Sequence, residues 1–169
     1  MTGSPLDDAF AHHVWASLRV IDACEALSRE QLEAPAPGTF GPILETMRHI
    51  VGSDSWYLHR LSGERHPTIE EEGMDLADLR AAMERNAAAW PGILAADPDA
   101  DEILEVHRDD GSVYRATKGI RLAQVIHHGS DHRSQICTAL TSLGIEPPEI
   151  GVWEYGNTVG RAAEVPAGS

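Results

Sequence analysis

The stretch Gln124-Val-Ile-His-His-Gly-Ser-Asp-His-Arg-Ser-Gln135 decides how this chain is read. Val125, Gly129, Ile136, Ala139, Leu140 and Leu143 recur through and beyond it at helical spacing, which predicts a helix over roughly 120–143. His128 and His132 fall inside that apolar stripe. Side chains four apart lie on one helix face, about a turn from each other, so both imidazoles point toward a hydrophobic interior. A buried imidazole needs a hydrogen-bond partner or a metal, and a convergent pair favours the metal. Gly144 and then Pro147-Pro148 close the helix.

Working outward, three more helical patterns precede this one. The first covers Leu6 to Leu27, with Phe10, Val14, Leu18, Ile21 and Ala26 near helical spacing, and Pro35-Ala-Pro-Gly38 ends that region. The second is expected to start after Thr39 as N-cap and to carry Ile43, Leu44, Met47, Ile50, Val51, Tyr57, Leu58 and Leu61 up to Gly63. The third spans Asp75 to Leu94, with Pro91-Gly92 expected to end or kink it. Between the third and fourth, Glu102–Arg108 and Ser112–Thr117 flank Asp109-Asp-Gly111, a hairpin signal. The second helix, at roughly 24 residues, would be about 36 Å long. The link from Gly63 to Met74 can reach about 40 Å when extended, enough to run the length of a bundle and leave the second and third helices parallel. The acidic run Glu70-Glu71-Glu72 within it reads as solvated surface.

The expectation is therefore an all-α four-helix bundle with a short β-hairpin between the third and fourth helices. Residues 1–156 form one domain, and residues 157–169 a loosely ordered tail. The net charge of −14 argues against a nucleic-acid partner, whose backbone is held by Lys and Arg. No apolar run approaches the roughly 20 residues of a membrane span, and the start of the chain has no signal-peptide pattern. No membrane partner and a cytoplasmic location are expected. Cys24 and Cys137 read as core residues rather than a disulfide.

Nine histidines compete for a metal role. Zinc usually takes three or four protein ligands, so His128 and His132 need a partner from elsewhere. His49 is best placed, at the edge of the second helical stripe beside Ile50, and neighbouring helices can aim side chains at one interior point. His59 and the His12-His13 pair fit a polar helix face more easily. His66 and His107 fall in segments where exposure is expected, and His127 points away from the His128/His132 face. The four tryptophans read as core or interface residues, and Trp56, two turns beyond His49, is the one best placed to reach a pocket.

These residues resemble the DinB/YfiT-like metal-binding four-helix proteins, which include mycothiol- and bacillithiol-dependent enzymes. His49 followed by Trp56, Arg60, Leu61 and Gly63 looks like the family's His-x6-Trp-x3-Arg-Leu-x-Gly pattern. The segment His127–Gln135 is similar to its Asn-His-x3-His-Arg-x-Gln signature, and the Gly111 hairpin to its connector. The match runs from about Phe10 to Tyr155. It departs at His127, where Asn is common, and at Asp131, where a second His often stands.

The resemblance implies His49, His128 and His132 as metal ligands, an up-down-down-up topology and a homodimer. It further implies a small-molecule substrate and a low-molecular-weight thiol as cosubstrate, activated by the metal. Zinc leads among the metals, with nickel, iron and manganese open. Trp56, Asp131 and Arg133 are the candidates for contact with substrate or support of the site, and Arg60 or Arg133 could hold a carboxylate. The leading expectation is a thiol S-transferase or thiol-assisted isomerase. The alternatives are a hydrolase working through metal-activated water and a non-catalytic metal- or ligand-binding stress protein.

Overall fold

The computed structural model describes residues 3–96 and 99–165. Along the chain come α1 (Pro5–Cys24), the single turn α2 (Arg29–Leu32), α3 (Ile43–Leu61) and α4 (Leu76–Ala95). The strands β1 (Ile103–His107) and β2 (Val113–Thr117) follow, then α5 (Lys118–Ser142) and the short α6 (Val152–Thr158). No described helix is long and apolar enough to cross a membrane.

Local chemistry sets most boundaries. Ser4 and Asp7 form a reciprocal capping box with Pro5 following, and Asp75 and Asp78 do the same for α4. Thr117 caps α5 by accepting from the Ile120 N–H. Thr39 does not cap α3, contrary to expectation. The helix starts at Ile43 with Pro42 at the cap, because a proline disfavours helical geometry at the residue before it, here Gly41. The Thr39 hydroxyl instead contacts the carbonyls of Ala36 and Gly41 at 2.7 and 3.0 Å. Nor does Pro91 end α4, which continues to Ala95. Pro91 lies on the exposed face, where solvent can satisfy the carbonyl deprived of its N–H partner.

Side-chain pairings give the helix directions. Arg48 meets Met74, Ser55 meets Asn86 and Asp54 meets Trp90, so α3 and α4 ascend together. Arg80 pairs with Asp22 while Phe10 packs on Trp90, so α1 and α4 are antiparallel. His13 meets Arg133 and Phe40 meets Gln135, making α5 parallel to α1 and antiparallel to α3. The topology is up-down-down-up, and the long link between α3 and α4 carries the chain back along the bundle as its length predicts.

The core is built in three layers along the axis. Val20, Ile21, Met47, Ile50, Leu79, Met83, Ile136 and Leu140 fill one end, and Phe10, Leu58, Trp90, Leu122 and Val125 the other. Between them every long helix contributes buried polar groups: His13 and Ser17, Asp54 and Ser55, Asn86, and Arg133. The hairpin pairs Ile103 with Thr117 and His107 with Val113, and a Glu105–Arg115 ion pair of 2.7 Å bridges opposed positions. Gly111 turns it with a φ of 79°, a conformation a side chain would resist.

The C-terminal region is more ordered than expected. Helix α6 carries the chain past Gly156 to Thr158, and Arg161 pairs with Asp8 at 2.6 Å. Ile150 receives a hydrogen bond from His12, and Tyr155 packs on Trp15. Within the expected tail, residues 166–169 lie outside the described residues.

Candidate metal centre

Three imidazoles converge where α3 and α5 face each other. His49, His128 and His132 offer ring nitrogens that all lie within 4.8 Å of one another. The Nε2 atoms of His49 and His128 are 2.9 Å apart, and ring centroids are separated by 4.5–4.8 Å. Two nitrogens bound to one tetrahedral zinc at about 2.0–2.1 Å lie roughly 3.3 Å apart, so small side-chain adjustments would bring all three onto a single ion. Among the described residues, no carboxylate belongs to the cluster.

The surroundings favour neutral rings at His128 and His49. Burial, followed by the neighbouring His132 and His49, pushes His128 down to about 4. Burial and His132 also lower His49, against an opposing pull from the negative charge of Glu71. Neutral imidazole is the form with a free lone pair for a cation. The sign for stability follows directly. An unfolded chain takes up the His128 proton near 6.5 and the folded metal-free protein only near 4. This contribution is complete above the higher value and is lost as pH falls through the window. Chelator-treated protein is expected to lose melting temperature steadily from pH 6.5 to 4, and His128→Leu to flatten that decline. An unchanged slope in the variant would contradict the assignment.

Gln135 organises the cluster. Its Oε1 lies 3.1 Å from His132 Nδ1 and accepts from the Phe40 backbone N–H at 2.8 Å. An amide oxygen can only accept, so Nδ1 carries the proton and Nε2 is left free to bind a cation. The same amide draws the loop before α3 over the site, where Phe40 stacks on His49 at 4.3 Å and meets His132 edge-on at 5.2 Å. Gln135→Leu is expected to weaken metal binding roughly 10–100-fold, as loss of a ligand-orienting partner does. Titration with a competing chelator measures it, and unchanged affinity would remove Gln135 from this role.

The other expected residues scatter. Trp56 is half-buried, with Arg60 and Arg121 at 5.6 and 5.8 Å from its ring, and it lines a cavity beside the hairpin. Asp131 is exposed on α5, and its charge weakly opposes the lowering of His128. Arg133, expected to contact substrate or support the site, is turned away from the cluster into the bundle. It is 1% exposed and directs Nη1 at His13 Nδ1 (3.1 Å) and Ser17 Oγ (3.0 Å). The sharp turn inward is possible because Gly129, one turn earlier, has no Cβ to collide with the His13 ring. Arg60 pairs with Glu64 on the surface of α3.

His13 is a second correction, buried at 1% rather than on a polar face. It donates from Nε2 to Asp54 Oδ1 (3.2 Å) and accepts at Nδ1 from Arg133, joining guanidinium and carboxylate through a neutral ring. Burial lowers Arg133 to about 10, opposed by Asp54. His66 is half-buried rather than exposed, and contacts Asn86 at 3.0 Å. His107 and His127 are exposed as expected.

Glu71 also escaped sequence reading. A Cβ at Gly52 would lie 2.5–2.8 Å from its carboxyl group, so the bare glycine lets the link press an acid onto α3 one turn from His49. No periodicity marks a residue in an irregular link, so only the missing side chain at Gly52 offers a hint.

Three histidines contributed by facing helices define a four-helix protein able to hold a metal ion in its bundle. The chain belongs to the DinB family, whose model matches residues 2–158. No curated protein matches it.

Proposed function

We propose that this protein is a metal-dependent enzyme that uses a low-molecular-weight thiol, as an S-transferase or thiol-assisted isomerase, with zinc held by His49, His128 and His132. The observation that carries this reading is the convergence of three imidazoles, two of them lowered in pKa, with no carboxylate joining the cluster among the described residues. Bound there, a divalent cation would supply the positive charge that turns a thiol of ordinary pKa about 8.5 into its nucleophilic thiolate at neutral pH.

The chain's own residues supply the rest. Gln135 keeps His132 in one tautomer. Phe40 shields one face of His49 from water. Glu71 lies one turn along α3 from His49 and can take up the proton that a thiol surrenders. Trp56 offers an aromatic wall to a substrate, and Asp131 tunes the charge near His128 from the surface. The homodimer implied by the resemblance and the cytoplasmic location expected from the sequence complete this reading, with sedimentation as the check on the dimer.

A second reading, hydrolysis, draws support from Glu71, which could equally deprotonate a water. The deciding experiment assays zinc-loaded protein against a generic electrophile with a panel of bacterial thiols. Turnover that requires a thiol is expected. Turnover independent of thiol would favour hydrolysis, and no turnover under either condition would leave a binding protein.

A further inference from the structure

A second cavity lies beside the histidine cluster, between the hairpin and the facing ends of α3 and α5. It has a volume of about 440 Å³, and its walls include Trp56, Tyr57, Arg108, Tyr114, Arg121 and Gln124. That is the size range of small-ligand pockets. Its charge is opposite to that of the chain. The protein carries −14 overall, yet this lining has two arginines and no acid.

Arg121 is the telling residue. It is 4% exposed, and no described carboxylate lies within ion-pair distance. One terminal nitrogen donates to the Leu104 carbonyl at 3.2 Å, while Nε is buried without a partner among the described residues. The guanidinium lies near the Trp56 ring. A buried cation with no counter-charge is costly unless an anion completes it, and arginine is the side chain best shaped to receive a carboxylate. Aromatic rings of Trp56, Tyr57 and Tyr114 provide an apolar wall for the remainder of such a molecule.

We infer that this cavity binds an organic carboxylate, with Arg121 holding the acid group, Arg108 at the mouth and the aromatic rings enclosing an apolar body. The cavity neighbours the cluster without including its histidines: Gln124 precedes His128 by one turn on α5, and the Tyr57 ring lies 6.2 Å from that of His128. The proposal rests on the metal-centre reading for what happens to the ligand, but not for where the ligand binds.

Phenylacetate and its uncharged analogue phenylacetamide serve as probes, titrated calorimetrically into chelator-treated protein. Phenylacetate is expected to bind at least tenfold more tightly than the amide. Arg121→Gln should abolish that preference, and Arg108→Gln, at an exposed position, should reduce it without risk to the core. His128→Ala should preserve it, which separates this site from the metal centre. Equal binding of acid and amide, or a preference that survives Arg121→Gln in a folded variant, would overturn the assignment. Loss of preference in His128→Ala with retention in Arg121→Gln would move the acid to the histidines and overturn it equally.

Discussion

Alanine at His49, His128 or His132 is expected to eliminate stoichiometric binding of divalent metal. Each residue supplies one of three converging nitrogens, and two imidazoles make a poor site where zinc usually takes three or four protein ligands. Removing any one should therefore cost more than the roughly 10–100-fold expected for a residue that only orients a ligand. Metal analysis after dialysis and the rise in melting temperature on adding zinc give two independent readouts. His127→Ala is the control, since that ring is exposed on another face of α5. Full metal content in the single alanine variants, or loss in His127→Ala, would refute the assignment.

The second large effect lies in the middle of the bundle. Asp54→Ala would strip the negative end from the Arg133–His13–Asp54 chain, leaving a guanidinium that is 1% exposed without its counter-charge. The two charges are bridged by the His13 ring and do not touch, so the loss is expected to reach at most about 3–5 kcal/mol, the cost typical of breaking a directly paired buried ion pair. Trp90 would also lose the acceptor for its indole N–H. Urea unfolding of the metal-free protein measures the loss. Replacing Arg133 by Met in the same molecule removes the stranded charge, so Asp54→Ala/Arg133→Met should be less destabilised than the sum of the two single changes. Strict additivity would show that the groups do not act as a unit.

How much of this was legible depends on distance along the chain. The stripe around Gln124–Gln135 gave the longest helix, and the length of the 63–74 link implied that α3 and α4 run together. The histidine cluster was legible because two members sit four apart and the third lies on another apolar stripe. Position 13 is equally legible from periodicity: Phe10, His13, Ser17, Val20 and Cys24 share one helix face, although the polarity of the imidazole favours a solvent-facing position. The inward course of Arg133 is not marked by any local pattern. Its burial depends on space left by Gly129 and on partners from α1, far away in sequence. Glu71 and Arg121 depend wholly on tertiary contact. One reaches α3 from an irregular link, and the other meets Trp56 of α3 and the Leu104 carbonyl of the hairpin only once both pack against α5.

The polar layer between the two apolar ends has a consequence for alignment. Helices packed through aliphatic side chains alone can slide past each other by a turn, about 5.4 Å, with little change in contact. Here such a slip of α5 would thrust Arg133 among Met47, Ile50 and Met83 or against Phe10 and Leu58, and leave Asp54 facing a hydrocarbon. The layer thus works as a notch that admits one register only. Since His128 and His132 ride on the same helix as Arg133, the notch that indexes the bundle also sets the height at which they meet His49.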